Sequence, residues 1–557
     1  MTRANVSSLD GFESATGLNP ITVEVIGSAL ESTVDEMGEA LVRASHSANI
    51  KERRDCSTAI FDPEGRVLCQ AEHIPLHLGS FIDFVPLLLK RYRIQEISAG
   101  DVFVGNDPYE GGGTHLPDIV LAEPVFVEGA LAAWAINTAH HTDFADRGHA
   151  HIYQEGLRIP PIKLYRKGKL QQDVQDLILL NCQVPAERLS DLRAQMAANR
   201  LGVLRIKALF EKYGAAVVAQ AGRELQDYAE RKMRAGIRRI PDGVYKAFEK
   251  FDADDKIFEE DISVTITVKE DEMYLHFESP PQVRLGINMT YTALLACVYY
   301  SIKSIVDPNI PPNAGLARPL HVTAKEGTIF NCVHPAAVDV RHATTQRVPD
   351  LIMAALADVI PQQVTGASCG SMSGTRFIGQ RPDGTTWIYV ETIAGGSGGR
   401  YNKDGLDGVQ VHTTNTSNLP VEALEAEYPL TILRYELIDG SGGEGTYRGG
   451  MGVRRVYRAD APCRPGTSGD SRRLTRPWGI HGGLEGAAGQ YRITAPDQNK
   501  SFKPGDVIPA GAVVEVMTPG GGGYGPPSGR SAEKVARDIR HGVISKDRAQ
   551  KVYSVRA

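Results

Sequence analysis

At 557 residues with a formal charge of −6 (61 Lys and Arg against 67 Asp and Glu), the chain is long enough for two to four domains and needs no disulfide or metal staple to fold. The slightly acidic balance argues against a basic nucleic-acid binder, and no run of about 18 apolar residues is present to span a membrane. The seven cysteines are scattered and never spaced C-x-x-C, which speaks against a secreted disulfide framework and a thiolate zinc site; with no apolar core behind basic residues at the N-terminus, no signal peptide is read and a cytoplasmic enzyme or enzyme subunit is expected.

Residues 1–18 are polar and expected to be loose. Asn19-Pro20 reads as a helix cap followed by proline at the first helical position. Ile26, Leu30, Val34, Met37, Leu41 and Ala44 then recur at helical steps, predicting an amphipathic helix to about Ala48. Ser57–Phe61 and Arg66–Gln70 flank the turn Asp62-Pro-Glu-Gly65 and predict a hairpin. Phe81–Tyr92 reads as a helix. A second hairpin runs from Ile119 to Thr138 around Glu128-Gly129. Residues 187–213 predict a helix stopped by Gly214, and Ala215 to about Arg239 another. From Gly243 the pattern changes: Asp261–Val268 and Met273–Phe277 read as strands, and Ile287–Val306 and Val348–Val359 as buried helices. Ile388–Tyr524 is β-rich with many glycine turns, and Ala532–Val555 is charged and helical, broken near Gly542.

The fold class expected is therefore α+β and multi-domain, with hairpins and mixed sheets, packed helices and a Gly-rich β region towards the C-terminus. The expected divisions are a loose segment 1–18, a site-bearing α+β domain 19–240, an α+β middle domain 241–390, a Gly-rich β region 391–528 and a charged helical tail 529–557.

The glycines do not spell a nucleotide site. No G-x-x-x-x-G-K-[ST] occurs. Gly440–Gly445 fits G-x-G-x-x-G, but Thr446-Tyr-Arg-Gly-Gly does not open a helix, and Pro526-Pro527 follows Gly520–Gly525. Structural turns and close backbone packing are the expected roles.

The residues most suited to chemistry lie between Asp55 and Glu155. The turn-rich stretch Asn106–Asp118 enters the second hairpin and His140-His-Thr-Asp143 leaves it. A two-residue turn at Glu128-Gly129 sets Val127 opposite Ala130. Counting back puts Asp118 opposite Ala139 and Pro117 opposite His140, so Asp118 and His140 sit side by side at the open end. Opposed residues lie about 5 Å apart and diagonal ones about 7–8 Å. His115 lies in a loop that Gly111 to Gly113 let fold back, and Asp55, at the mouth of the first hairpin, is a plausible fourth ligand. Two imidazoles and two carboxylates suit Zn²⁺, Mn²⁺ or Fe²⁺ rather than a Mg²⁺ or Ca²⁺ cage. His141 and Asp143 are then proton-transfer or supporting candidates. Histidines near strand ends also serve as plain hydrogen-bonding groups. His73 and His77 could approach the same site but are read first as packing and loop hydrogen-bonding residues, His149 and His151 as loop residues, Glu155 as an acid or the salt-bridge partner of Arg158, and the cysteines as core filler.

At these residues the chain resembles the hydantoinase B/oxoprolinase family. The resemblance runs over almost the whole chain. It includes Glu52-Arg-Arg-Asp-Cys-Ser57, His73-Ile-Pro-Leu-His-Leu-Gly-Ser80, Asn106-Asp-Pro-Tyr109 with Thr114-His-Leu-Pro-Asp118, Gln154–Pro161, Lys403–Gly408, Asn415-Thr416 with Pro420-Val-Glu422, Ser441-Gly-Gly443 with Tyr447-Arg-Gly-Gly450, and Thr518–Gly525. It implies the B-type subunit of an ATP-dependent cyclic amidase, opening a hydantoin, lactam or 5-oxoproline-like ring. A hydantoinase A-type partner would carry ATP–Mg and phosphorylate the substrate's carbonyl oxygen. The resemblance places a divalent transition metal on Asp55, His115, Asp118 and His140 and implies a hetero-oligomer. The family also holds subunits of acetone and acetophenone carboxylases, so a ketone carboxylase subunit is the alternative, and a non-catalytic scaffold a third. The chain departs from its relatives after His140. Where they carry a Gly-Gly pair and a longer loop, it has the short, charged His-Thr-Asp-Phe-Ala-Asp-Arg-Gly148.

Overall fold

The computed structural model describes residues 17–71, 73–110, 112–141, 150–253, 255–468, 472–497 and 501–554, so nearly all of the segment 1–18 expected to be loose lies outside the described residues. Seven strands form the first sheet: β1 (Cys56–Phe61), β2 (Val67–Gln70), β3 (Val102–Gly105), β4 (Asp118–Val127), β5 (Ala130–His140), β6 (Ile162–Arg166) and β7 (Lys169–Leu170), in the order β2-β1-β5-β4-β3-β6-β7. Helices cover both faces. On one lie α1 (Pro20–Ala44), α2 (Ala48–Lys51) and, from further along, α6 (Pro185–Tyr213) and α7 (Ala215–Ile237); on the other lie α3 (His77–Ile82) and α4 (Phe84–Arg91); α5 (Gln172–Leu180) packs beside α6. Double coverage explains why β1 and most of β4 read as continuous buried runs. Ile60, Val125, Ala133 and Ala135 face α1 and α6, while Ala59, Phe61, Val120, Trp134 and Ile136 face Phe81, Phe84 and Leu88.

The N-terminal helix starts where its cap predicts: Asn19 Oδ1 accepts from Ile21 N at 2.9 Å. It ends at Ala44, short of the expected Ala48, because Ser45 turns extended and Ser47 caps α2. The helix expected over Phe81–Tyr92 begins earlier, at His77, and breaks at Asp83. The α6–α7 boundary falls at Gly214, with φ of +82°.

A second sheet, β13-β12-β11-β8, is built from β8 (Gly243–Glu249), β11 (Ile262–Lys269), β12 (Glu272–Glu278) and β13 (Leu320–Ala324), with the short ribbon β9 (Asp252–Ala253) and β10 (Lys256–Ile257) between. Ile262, Val264, Ile266 and Val268 point into a core shared with α7, α8 (Tyr291–Val306), α9 (His342–Thr345) and α10 (Arg347–Leu356), and the intervening residues face outwards. The remaining strands make two antiparallel sheets. One is β15-β14-β18, from β14 (Gly374–Gln380), β15 (Thr386–Thr392) and β18 (Cys463–Ser468). The other is β16-β17-β20-β19, from β16 (Leu430–Leu437), β17 (Val453–Ala459), β19 (Gln490–Thr494) and β20 (Val513–Met517). The helix α11 (Val421–Glu427) packs with them, and α12 (Ala532–Arg540) and α13 (Lys546–Tyr553) close the chain on either side of Gly542.

The Gly520–Gly523 run has a specific structural reason. Its four amides donate in turn to the carbonyls of Ala487, Gly450, Ala367 and Leu484. The first and fourth thus reach the same neighbouring segment, as in an extended helix of three residues per turn. A Cβ on Gly521 would stand 2.0 Å from Ser397 O, and one on Gly522 1.9 Å from Trp478 O. The glycines bring backbones together on every side of this strand.

Candidate metal centre

The open ends of three neighbouring strands converge on one point. Cys56 pairs with Ala139, and the His140 N–H donates to the Asp55 carbonyl at 3.0 Å, so the entrance of β1 lies beside the exit of β5. On the other side Asp118 stands directly opposite His140. This differs by one residue from the register expected from the turn. Glu128 and Gly129 do form a two-residue turn with both φ positive (50° and 82°), and Val127 does face Ala130. A β-bulge then leaves Ala132 unpaired, since Phe126 faces Leu131 and Val125 faces Ala133.

His115 reaches the same point from the preceding loop. The loop folds back at Gly112 and Gly113 (φ of 125° and 65°), and a Cβ on Gly113 would meet Asp118 O at 2.8 Å. Buried Asn106 pins the loop: its amide donates to the Leu116 and Leu157 carbonyls, and its Oδ1 accepts from Ile159 N at 2.7 Å.

Three donor atoms form a nearly equilateral triangle. His115 Nε2 lies 3.0 Å from Asp118 Oδ1 and 3.1 Å from His140 Nδ1, and His140 Nδ1 lies 3.1 Å from Asp118 Oδ1. Protonation decides what the triangle is. His115 Nδ1 is 2.8 Å from the Asp339 carbonyl oxygen, which only accepts, so Nδ1 carries the proton. Burial, then the nearby Arg341, push the His115 pKa below its ordinary value, so the ring is neutral and Nε2 bare. Its lone pair therefore points at a carboxylate oxygen, an arrangement that repels unless a cation stands between them. Edges of 3.0–3.1 Å are what adjacent ligands at right angles give with bonds of about 2.1–2.2 Å. The other oxygen of Asp118 is already engaged, accepting from Arg341 Nη2 at 2.9 Å and Thr114 Oγ1 at 3.3 Å, while Arg341 Nε donates to Thr114 Oγ1 at 2.7 Å. Burial raises the Asp118 pKa, but the Arg341 guanidinium paired with its other oxygen opposes this, and the carboxyl lies well below its usual range.

The other expected residues fall around this triangle. Asp55 stands outside it, its Oδ1 3.6 Å from His77 Nε2, which in turn is 3.8 Å from Asp118 Oδ1. His77, read first from sequence as packing, is thus part of the cluster, with Nδ1 3.0 Å from Ser57 Oγ. His141 alternates to the α6 side of its strand. Its Nε2 lies 3.0 Å from Gln195 Oε1, and burial with Arg188 nearby lowers its pKa to about 3, so it is neutral. Asp143 and His149 lie outside the described residues. His73 packs over Gly38 of α1. Glu155 does not pair with Arg158, which binds Asp107 instead. Oε1 of Glu155 accepts from the Val338 and Asp339 amides at 2.7 and 2.8 Å, and so holds the loop that supplies the Asp339 carbonyl and Arg341. Asp339 and Arg341 carry no local motif that marks them in the sequence. All seven cysteines are free thiols, and burial pushes Cys56, Cys297, Cys332 and Cys369 up to about 12 or beyond, consistent with core filler.

The cluster opens into a cavity of about 90 Å³, space for an ion and a few waters. It is lined by the strand ends and residues 339–342, by Met372, Gly374 and Arg376 of the β14 segment, and by Val390, Thr392, Thr414 and Thr416. The sequence matches the hydantoinase B/oxoprolinase family over residues 19–527. The chain belongs to that family. It is 35% identical to the putative B-type D-/L-hydantoinase subunit of Pseudomonas sp. (strain NS671), over 97% of this chain and 95% of that protein. Among solved structures it is similar to the ATP-dependent caprolactamase from Pseudomonas jessenii, with a TM-score of 0.88, 30% identity and 97% of both chains covered. Acetone carboxylase in its nucleotide-free form shares the fold at a TM-score of 0.88 and 18% identity, over 97% of this chain and 80% of that one. The α+β, multi-domain fold class expected from the sequence is therefore the family's own. No helix among the described residues is long and apolar enough to cross a membrane.

Proposed function

We propose that this chain is the metal-bearing B-type subunit of an ATP-dependent cyclic amidase. Its substrate would be a hydantoin, lactam or 5-oxoproline-like ring, phosphorylated on the carbonyl oxygen by an A-type partner that binds ATP and Mg²⁺. The ring would open at a divalent transition ion held by His115, Asp118 and His140, with Asp55 and His77 adjoining. One observation carries the reading: three atoms able to ligate a metal meet 3.0–3.1 Å apart at a largely buried cavity, in a chain whose relatives include a protein named as a putative hydantoinase component. The donor set, nitrogen and oxygen without sulfur, suits Zn²⁺, Mn²⁺ or Fe²⁺.

Bound there, such an ion supplies Lewis acidity and a nucleophile from water at neutral pH. The protein's residues do the rest. The Asp339 carbonyl fixes the His115 tautomer and ring orientation. Arg341 and Thr114 turn Asp118 so that one oxygen faces the triangle. His77 is kept below its ordinary pKa by burial, and its Nε2 lies between Asp55 and Asp118, placed to take up a proton and pass it to the leaving amine.

Elemental analysis of the purified chain tests the site, with about one divalent transition ion per chain expected. Asp118→Ala and His140→Ala should lose it and silence ring opening by the assembled complex with ATP, while assembly persists. Full turnover by Asp118→Ala, or by a metal-free complex, would refute the reading and favour the scaffold. A strict bicarbonate requirement with ketones would assign the chain to the carboxylases instead.

A further inference from the structure

The lining of the same cavity carries a second feature. Arg53 is a buried guanidinium at 1% exposure. Its Nη1 donates to Asn49 Oδ1 and, at 2.9 Å, to the Val390 carbonyl, and its Nη2 donates to Thr392 Oγ1 at 2.8 Å. Nε has no acceptor, and among the described residues no carboxylate forms an ion pair with Arg53. A buried charge without a counter-charge is costly to desolvate and is ordinarily found paired. Arg376 stands beside it. In the β14–β15 ladder Arg376 is opposite Val390 and Gly374 opposite Thr392, so these four share one face, and all line the cavity. Arg376 is only partly buried. Its side chain lies across Gly466 of β18, where a Cβ would come within 2.6 Å of Nε. The missing side chain at 466 is what lets the guanidinium lie along this lining.

We propose that Arg376, with Arg53 behind it, forms an oxyanion subsite that receives the anionic group of the substrate, a phosphoryl group on the activated carbonyl or a ring carboxylate. The inference rests on the reading of the cavity as the site of ring opening and extends it to substrate recognition. Arg376 is the contacting donor, since a guanidinium presents parallel N–H groups to two oxygens of either anion. Arg53 supplies the uncompensated positive charge close behind. Among the described residues three guanidiniums (Arg53, Arg341, Arg376) line the cavity beside three carboxylates (Asp55, Asp118, Asp339), and a divalent ion would add positive charge that draws an anion in.

The test is calorimetric titration of the purified full chain with inorganic phosphate and, separately, with acetate, alongside metal analysis of each sample. Wild type should bind at least one of the two. Tighter phosphate binding identifies the phosphoryl source, and equal or tighter acetate binding the carboxylate source. Arg376→Ala should weaken that binding at least 10-fold with metal content and melting temperature unchanged, and Arg376→Lys should recover part of it. Binding by Arg376→Ala equal to wild type, or no binding of either anion by wild type at 20 mM, overturns the proposal. A wild-type chain without metal in which Arg376→Ala still loses anion binding leaves this subsite standing and removes the metal reading instead.

Discussion

Glu155 lies outside the donor triangle, yet the geometry makes its removal consequential. Its Oε1 is the acceptor for the buried amides of Val338 and Asp339, and the residue is 1% exposed. Those amides begin the segment whose next groups are the Asp339 carbonyl on His115 and the Arg341 guanidinium on Asp118. Glu155→Ala leaves two buried donors without an acceptor. At about 1–3 kcal/mol each, the expected loss of stability is about 2–6 kcal/mol. The same change frees the group that orients His115, and losing such a supporting partner typically costs about 10–100-fold in metal affinity. Glu155→Gln behaves differently. Burial, then the charge of Asp339, hold the Glu155 carboxyl well above its usual range, so a neutral amide resembles the native group and retains the acceptor oxygen. It should cost less than about 1 kcal/mol. Urea denaturation of the three proteins gives the stability ladder, and competition with a chromophoric chelator gives the metal affinities. If Glu155→Ala loses under about 1 kcal/mol, or Glu155→Gln is as damaging as Glu155→Ala, the buttressing role is wrong.

Two further outcomes are expected. Burial, with Arg54 and then His77 nearby, lowers the His73 pKa to about 4, so the unfolded chain binds a proton there before the folded one does. Stability from this group is intact above about pH 6.5 and drains away as pH falls towards 4, by about 2 kcal/mol between pH 7 and 5; His73→Gln should lack that share in urea titrations at the two pH values, and an unchanged pH dependence would exclude it. Gly521→Ala must force a methyl into Ser397 O and should cost about 3 kcal/mol or more, whereas Gly384→Ala, in open space at φ of +83°, should cost only about 1–2 kcal/mol of backbone strain; equal midpoints for the two variants would contradict the packing assigned to the Gly520–Gly523 strand.

Local signals in the sequence carried a long way. The Asn19-Pro20 cap, the Gly214 stop and both hairpins are where turn and capping chemistry predict them, because each depends on residues within a few positions of one another. Helix continuity was less legible: the apolar spacing runs past Ser45, but the Ser45 amide and hydroxyl both close back on the Leu41 carbonyl, and Asp191 of α6 takes the His46 and Ser47 amides. His77 and His73 look alike in sequence, four apart as if on one helix face. The helix begins only at His77, so His77 enters the cluster and His73 turns towards α1. Arg341 and Asp339 were out of reach of any spacing rule, since they meet Asp118 and His115 across more than 220 positions.

The hairpin register shows how narrow the margin is. Counted straight back from the Glu128-Gly129 turn, Asp118 falls opposite Ala139. Side chains alternate faces along a strand, so His140 would then point to the opposite side of the sheet from Asp118, and a one-residue slip is enough to separate them. The unpaired Ala132 supplies that slip, bringing His140 directly across from Asp118 on the same face. A bulge is written in no single residue. It is selected by the packing of Val125, Ala133 and Ala135 against α1 and α6 on one side and Trp134 and Ile136 against Phe81 and Phe84 on the other, so the two ligands are joined by the sheet's core and not by any motif that contains them.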